Sequence, residues 1–416
     1  MALQKFAASV LLLAAACYRA NAEGSWLTDP DRPWHVSLGV REEYSDNVDT
    51  EDSGAVGSFN TIVNPTLSLD LPLENTHYSF SYDYFLTIYS DPPVTGNAED
   101  AHILALGMSH NFTPRFGFAL SDTLVRGIDA SLVTDDVTGT RVISKRRGEY
   151  WDNTAALDVH YNLTELWTTG VGGFWNLKRF DDPVVVVDVP ASDNDRDRYG
   201  GSAFLTYQIN SRTSAGVQYE YARTIYDESD PLNTNDVPKF RDTRNTQSHA
   251  PSVTLIRKLT PKLTLDVDGG VEILYFDDGS QDITPRARAK LIYAYLPGDS
   301  VAATFFYGLT TTEVGEFRSA ETASVKVDVH HSFTPKLRVS GEVTYTHREF
   351  QNPDPAVTPK PTEQSNDGVI LSVIMSYRFT RWLSGEAGYT HEETISDFEE
   401  EEFARNRVFL GARVTY

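Results

Sequence analysis

Cysteine, positive charge and long apolar runs are all scarce in this sequence. Its only cysteine, Cys17, lies close to the N-terminus, so the rest of the chain cannot form a disulfide, a thiolate nucleophile or a thiolate metal site. The 36 basic side chains are outnumbered by 59 acidic ones, which gives a net charge of -23. Because phosphate binding needs a basic face, this balance argues against a nucleic-acid partner. Beyond residue 22 no run of about 18 apolar residues occurs, which argues against a transmembrane helix.

The first 22 residues have the pattern of a secretory signal peptide. Lys5 precedes an apolar run at residues 6–16, and residues 20–22 are Ala-Asn-Ala. A basic start, a short apolar stretch and an A-x-A site are the features of a cleaved signal, and the run is short for a retained anchor helix. The sequence therefore predicts cleavage after Ala22, with residues 23–416 forming the exported domain.

A short turn recurs along the rest of the chain. Residues 111–116, for example, are Asn-Phe-Thr-Pro-Arg-Phe, in which turn-forming residues are flanked by apolar ones. Similar segments occur at 162–167, 258–263, 332–337 and 378–383, with looser ones at 71–76, 208–213 and 295–300. Longer acidic stretches lie between them, at 91–97, 127–147, 181–197, 227–245, 352–365 and 396–402. Short turns that alternate with long polar loops are typical of outer-membrane barrels.

The segments between turns alternate apolar and polar residues. In the last segment Val408, Leu410 and Val414 alternate with Arg407 and Arg413. Successive side chains of a strand point to opposite faces, so one face would meet lipid and the other water. A register slip of one residue would place the charges in lipid, so the pattern predicts the facing of each strand.

Counting these segments predicts about 18 strands. Eight short turns join sixteen of them, one strand precedes the first long loop (residues 34–42) and one follows the last (residues 403–416). Backbone groups in lipid must all be paired, so the sheet must close. The prediction is an all-β protein: a single transmembrane antiparallel up-and-down β-barrel in the outer membrane of a Gram-negative bacterium. Lipid and lipopolysaccharide would surround it, with short turns and termini periplasmic and long loops outside.

Both ends of the barrel segment resemble known sequences. Gly411, Val414 and the final Tyr416 resemble the C-terminal signal of outer-membrane barrels, which implies recognition by the barrel-assembly machinery. Residues 36–48, Val-Ser-Leu-Gly-Val-Arg-Glu-Glu-Tyr-Ser-Asp-Asn-Val, resemble the opening strand and first loop of the putative beta-barrel porin 2 family. That family includes outer-membrane barrels encoded with exopolysaccharide-synthesis genes, so the resemblance implies polysaccharide-export components as partners.

Two predicted strands bring opposite charges together in the lumen. If the residue numbers of paired positions sum to 558, Glu272 faces Arg286 and Asp268 faces Lys290. Such cross-strand pairs are usually structural, while charged side chains in a pore can also form an electrostatic filter. The candidate residues are Asp266, Asp268 and Glu272 on one strand and Arg286, Arg288 and Lys290 on the next.

A second group of lumen candidates is basic. It consists of Arg41, Arg338, Arg348, Arg378, Arg405, Arg407 and Arg413. A ladder of guanidinium groups would favour anionic or polyhydroxyl solutes. The alternative is simple charge balance against acids such as Glu342 and Glu386.

Catalysis and metal binding have little support. No G-x-S-x-G, H-E-x-x-H or P-loop motif occurs, and the acidic runs at 193–197 and 397–402 lack calcium-loop spacing and are expected to be hydrated loops. We therefore expect no enzyme activity, metal or cofactor. The first hypothesis is an outer-membrane channel, as a conduit for exopolysaccharide export or a porin for hydrophilic solutes. The alternative is a plugged structural or surface-binding barrel, and an outer-membrane hydrolase ranks last.

Overall fold

The computed structural model describes residues 32–93, 96–127, 149–181, 195–226, 244–310, 317–353, 364–397 and 401–416. The predicted signal peptide lies outside these residues, as do most of the three longest acidic stretches. Within the described ranges, no helix is long and apolar enough to cross a membrane.

These residues form one antiparallel sheet. Its strands are β1 (Trp34–Ser45), β2 (Ser58–Pro72), β3 (Thr76–Tyr89), β4 (Ala98–Thr113), β5 (Phe116–Gly127), β6 (Glu149–Asn162), β7 (Trp167–Asp181), β8 (Arg196–Asn210), β9 (Thr213–Tyr226), β10 (Thr246–Lys258), β11 (Leu263–Phe276), β12 (Gln281–Leu296), β13 (Asp299–Thr310), β14 (Phe317–Ser332), β15 (Leu337–Pro353), β16 (Gln364–Arg378), β17 (Leu383–Ser396) and β18 (Phe403–Thr415). Each strand pairs with its sequence neighbours, and β1 also pairs with β18, so the 18-stranded sheet closes. The predicted barrel and its strand number are confirmed, and no strand edge is left to expose unpaired backbone groups.

Threonine explains why the short-turn sequence recurs. In five turns the threonine hydroxyl accepts hydrogen bonds from the backbone N–H groups two and three residues later, at 2.9–3.3 Å. These residues are Thr113, Thr164, Thr260, Thr334 and Thr380. A side-chain oxygen thus satisfies donors that the strand ladder cannot reach, which stabilises the turn locally.

The faces of the sheet are inverted relative to a soluble protein. On β1, Val36, Leu38 and Val40 are 46%, 50% and 44% exposed, whereas Ser37 and Glu43 on the other face are 9% and 6% exposed. A row of exposed aliphatic side chains is stable only where the surrounding solvent is apolar. The outer surface is therefore built for lipid.

Aromatic side chains mark both edges of this lipid-facing band. Phe112 and Phe116 stack beside a short turn with ring centroids 5.2 Å apart. On β16 the outward face is apolar from Val369 through Phe379, and above it the hydroxyl of Tyr345 donates to Asp367 at 2.6 Å. Ten residue steps at about 3.3 Å each and a tilt of about 40° span about 25 Å, the height expected for the apolar band of a barrel.

Apolar packing inside the barrel is confined to small clusters. The described residues include three of them, formed by Val125, Tyr150 and Phe180, by Leu274, Phe276 and Leu309, and by Phe317, Ala320 and Phe350. Each lies toward the long-loop ends of its strands. The sheet hydrogen bonds and the lipid-facing surface, rather than one central core, therefore carry most of the stability.

Candidate functional site

The inward face of the barrel is the candidate site. On β18, outward Leu410 and Val414 are exposed, while Arg405 on the opposite face is buried. Residues that pair directly across two strands point to the same face, so the registers show which residues of the neighbouring strands also face inward. Examples are Arg413 opposite Gly39 on β1 and Lys326 opposite Thr344 on β15. Every predicted lumen residue of both groups has the inward parity.

The predicted pairing of the charge cluster is wrong by two residues. Paired positions on β11 and β12 sum to 556, not 558, so Asp268 faces Arg288 and Glu272 faces Thr284. The cause is the turn at residues 277–280, in which Phe276 N–H donates to Ser280 at 2.9 Å and Gly279 adopts a φ of 89°. Because turn geometry sets hairpin register, a tight turn centred on Asp278 moves each acid opposite a different partner.

The charge cluster instead joins a wider network. Arg286 reaches across the sheet to Glu220 on β9 at 3.4 Å, and Arg198 on β8 lies 3.7 Å from the same carboxylate. Glu272 accepts from Ser248 at 2.6 Å and Asp268 from Ser252 at 2.8 Å, both on β10. Sequence reasoning missed Glu220 because Arg286, its partner from the predicted cluster, lies three strands away on β12.

Three of the predicted arginines meet at the seam where β18 joins β1. Arg405 Nε donates to Glu392 at 3.0 Å and Arg407 to the same carboxylate at 2.6 Å, while Arg41 lies 3.2 Å from Glu43. Both acids are almost fully buried. Charge-assisted bonds of this kind hold the guanidinium groups in fixed positions.

Two of the balancing acids, Glu392 and Glu43, are ones that the prediction did not name. Among the acids that it named, Glu342 pairs with Lys326 at 3.3 Å. Glu392 lies opposite Arg405 in the β17–β18 register, so counting back from the C-terminal hairpin could have found it. Glu43 lies two residues from Arg41 on the same face, a signal that the sequence also carried.

The other four arginines are dispersed rather than stacked in one column. Arg413 donates to Asn64 at 2.6 Å and to Ser37 at 2.9 Å. Near the short turns, Arg338 donates to the carbonyl of Gly298 and Arg378 to that of Pro335, both at 3.0 Å. The side chain of Arg348 lies opposite Thr322 and Asn366.

Inward charge is divided between two walls. The wall formed by β14 to β18 and β1 carries Arg318, Lys326, Arg338, Arg348, Arg378, Arg405, Arg407, Arg413 and Arg41 against Asp328, Glu342, Glu386, Glu392 and Glu43. The described residues of β2 to β6 carry inward Asp70, Asp83, Glu99, Asp152 and Asp158 and no inward lysine or arginine. A solute in the bore would therefore meet an excess of positive charge on one side and negative charge on the next.

The first long loop folds over the seam. Asp46 accepts from the backbone and side-chain amides of Asn406 at 2.6 and 2.7 Å, and Asn47 donates to the carbonyl of Ala404 at 3.0 Å. Val48 is 2% exposed, and Thr50 adopts a φ of 56°. Residues 46–57 therefore cover the seam at the long-loop end of the barrel.

The predicted assembly residues lie where the barrel closes. A Cβ added to Gly411 would lie 2.7 Å from Arg41 Cβ and 3.0 Å from the Val40 carbonyl, so only glycine fits there. Val414 faces outward, and Tyr416 exchanges two backbone hydrogen bonds with Val36 at 2.8 and 3.1 Å. These residues complete the seam, and their recognition by assembly machinery stays a prediction.

Comparison with known proteins identifies the family. The chain is similar to the FrpB iron transporter from Neisseria meningitidis, F3-3 variant (11% identity, TM-score 0.42), covering 90% of this chain but only 63% of that one. It is also similar to the outer membrane protein opdK from Pseudomonas aeruginosa (11% identity, TM-score 0.45), covering 92% and 99% of the two chains. No curated protein matches the chain significantly. Residues 35–416 match the model of putative beta-barrel porin 2, so the chain belongs to this family of barrels, which supports an outer-membrane channel.

Proposed function

We propose that this protein is an outer-membrane channel that conducts hydrophilic solutes. The observation that carries the proposal is the closed 18-stranded ring, apolar on its outer face and charged on its inner one. Barrels of 16 to 18 strands are wide enough to hold an aqueous lumen. Passage through such a lumen needs no chemistry by the barrel, which agrees with the absence of catalytic motifs from the sequence.

The solute that the lumen fits best is a hydroxyl-rich polymer, so the finer proposal is a conduit for exopolysaccharide export. Guanidinium, carboxylate, amide and hydroxyl groups alternate along the inner face, as in the network of Arg413 with Asn64 and Ser37. Hydroxyl groups donate and accept hydrogen bonds and can exchange partners along such a surface. A general porin for small hydrophilic solutes uses the same groups and is the competing form of the proposal.

A plugged barrel is the second candidate, and one observation favours it. On the wall from β13 to β16, inward Phe306, Thr322, Thr344 and Ile370 have no solvent-exposed surface. The inner wall of an open pore is wetted, so this side of the bore is filled. This filling leaves the rest of the bore as the path.

Conductance in planar lipid bilayers tests the channel. We expect stable single-channel currents from the refolded mature protein. Silence from protein that is folded, as judged by heat-dependent migration in detergent gels, would favour the plugged barrel.

Deletion of the gene tests the solute. Loss of extracellular polymer with unchanged uptake of small sugars supports export. Unchanged polymer with slower uptake supports a general porin.

A further inference from the structure

A small cavity lies on the inner wall beside the seam. It has a volume of about 110 Å³ and is bounded by side chains from β1, β2, β3, β4 and β18. Val48 from the first long loop closes it on one side. This is smaller than the cavity of about 150 Å³ that accommodates benzene, so the space can receive one edge of a sugar ring with its hydroxyl groups.

One side of the cavity presents fixed hydrogen-bond donors. Arg41, Arg405 and Arg407 line it. Glu392 holds Arg405 and Arg407 from behind at 3.0 and 2.6 Å, and Glu43 holds Arg41 at 3.2 Å. The guanidinium groups are therefore oriented before any ligand arrives, so binding would not have to order them.

The other side presents acceptors and an aromatic surface. Glu99 and Asn60 line it, with the rings of Phe85 and Tyr89. The Tyr89 hydroxyl donates to Glu99 at 2.6 Å, which holds that carboxylate in place. Asn60 is 3% exposed, and within the described part of the chain its side-chain oxygen accepts no hydrogen bond. A buried acceptor without a donor is costly, so this atom points to a missing partner.

The charges select against simple ions. Three guanidinium groups line the cavity together with the carboxylates of Glu43, Glu99 and Asp100, and Glu392 lies behind the arginines, so charges of both signs surround it. An anion would be repelled by the carboxylates and a cation by the arginines, while an apolar solute would satisfy neither. A hydroxyl group donates to a carboxylate and accepts from a guanidinium, and the C–H face of a sugar ring packs on an aromatic ring.

From this geometry we infer that the cavity is a binding site for one saccharide residue, recognised through its hydroxyl groups. This inference rests on the proposed channel function, and it identifies saccharides as the class of solute that the channel binds. The site lies where β18 meets β1, beneath residues 46–57, so a polymer moving along the seam would contact it residue by residue.

Current blockage by sugars tests the site. The probes are maltohexaose, cellohexaose and mannohexaose, applied to single channels of the wild type. We expect at least one of them to interrupt the current, and we expect Asn60→Leu to reduce the interruptions at least tenfold. The matched control is Gln218→Leu, which replaces an inward amide on β9, away from the cavity. Its conductance and its blockage by the sugars should match those of the wild type.

Calorimetry in detergent separates this inference from the proposed channel. Silent bilayers would count against the channel, and sugar binding that is lost in Asn60→Leu but kept in Gln218→Leu would still support the site. Open channels that none of the three sugars interrupts, or equal blockage in the wild type and Asn60→Leu, would overturn it. Displacement of a bound sugar by an equal concentration of sodium acetate would also overturn it, because the site would then recognise a carboxylate.

Discussion

The two ends of the barrel are held together by contacts of different range. At the short-turn end, each hairpin is closed by bonds within a few residues, as when Thr380 accepts from the N–H groups of Trp382 and Leu383. At the long-loop end, Asp46 binds Asn406, which is 360 positions away in sequence. Local turns can form with each hairpin, whereas the long-loop end is completed only when the last strand meets the first.

Removal of Glu392 should give the largest effect, because it takes a nearly fully buried carboxylate from two arginines at the long-loop end. Glu392→Ala removes the carboxylate that bonds both Arg405 and Arg407, which are largely buried, and we expect the free energy of unfolding to fall by about 3 kcal/mol. Urea unfolding in lipid vesicles measures this loss. The control is Glu393→Gln, which alters a partly exposed pair with His391 and should cost less than about 0.5 kcal/mol. Equal costs for the two variants would refute a special role for the seam.

Crowding the seam should come next. In Gly411→Ala the new Cβ meets the Arg41 Cβ and the Val40 carbonyl, neither of which can rotate away. We expect a loss of about 1–3 kcal/mol and slower insertion into vesicles. Gly269→Ala is the matched control, since a Cβ there meets nothing within 4 Å. If both variants insert at the same rate, closure is not limited by packing at Gly411.

A change at the short-turn end should cost less. Thr380→Val removes the acceptor of two backbone N–H groups, and we expect a loss of about 1 kcal/mol. Thr380→Ser keeps the hydroxyl and should restore most of it. If the two ends are independent, the stability lost in the Thr380→Val and Glu392→Ala double variant should equal the sum of the two single losses. Strong coupling between them would contradict the division into local and long-range ends.

The smallest effect should be a pH dependence at the loop between β11 and β12. Hydrogen bonds from the Ser280 hydroxyl and N–H, at 2.6 and 2.8 Å, together with nearby Arg318, hold the pKa of Asp278 below its usual range. A carboxyl whose folded-state pKa is depressed adds stability above its unfolded pKa and loses it as the pH falls through the folded value. Asp278→Asn should therefore be less stable than the wild type at pH 7 and approach it in acid. A stability difference that persists below pH 2 would exclude ionisation as its cause.

Strand number, facing and short turns could be predicted from sequence because each depends on nearby residues. Alternation within β18 sets which side chains face lipid, and the recurring threonine marks each local turn. The β11–β12 register was missed because the turn is centred on Asp278, one residue before the centre that the assumed pairing implies. Glu392 was missed because its position opposite Arg405 depends on the register of the β17–β18 hairpin, whereas Glu43, two residues from Arg41 on the same face, could have been found from the sequence.

The sequence by itself determined that alternate residues face lipid and water, because a strand has a period of two and the membrane rejects charge. It also determined the number of strands, through turns that need only a few consecutive residues. Only the tertiary structure decided which charges meet and where a cavity forms. Closure brings Arg41, Arg405 and Glu99 to one place on the inner wall. These residues are far apart in sequence, so no local sequence pattern could predict that they meet.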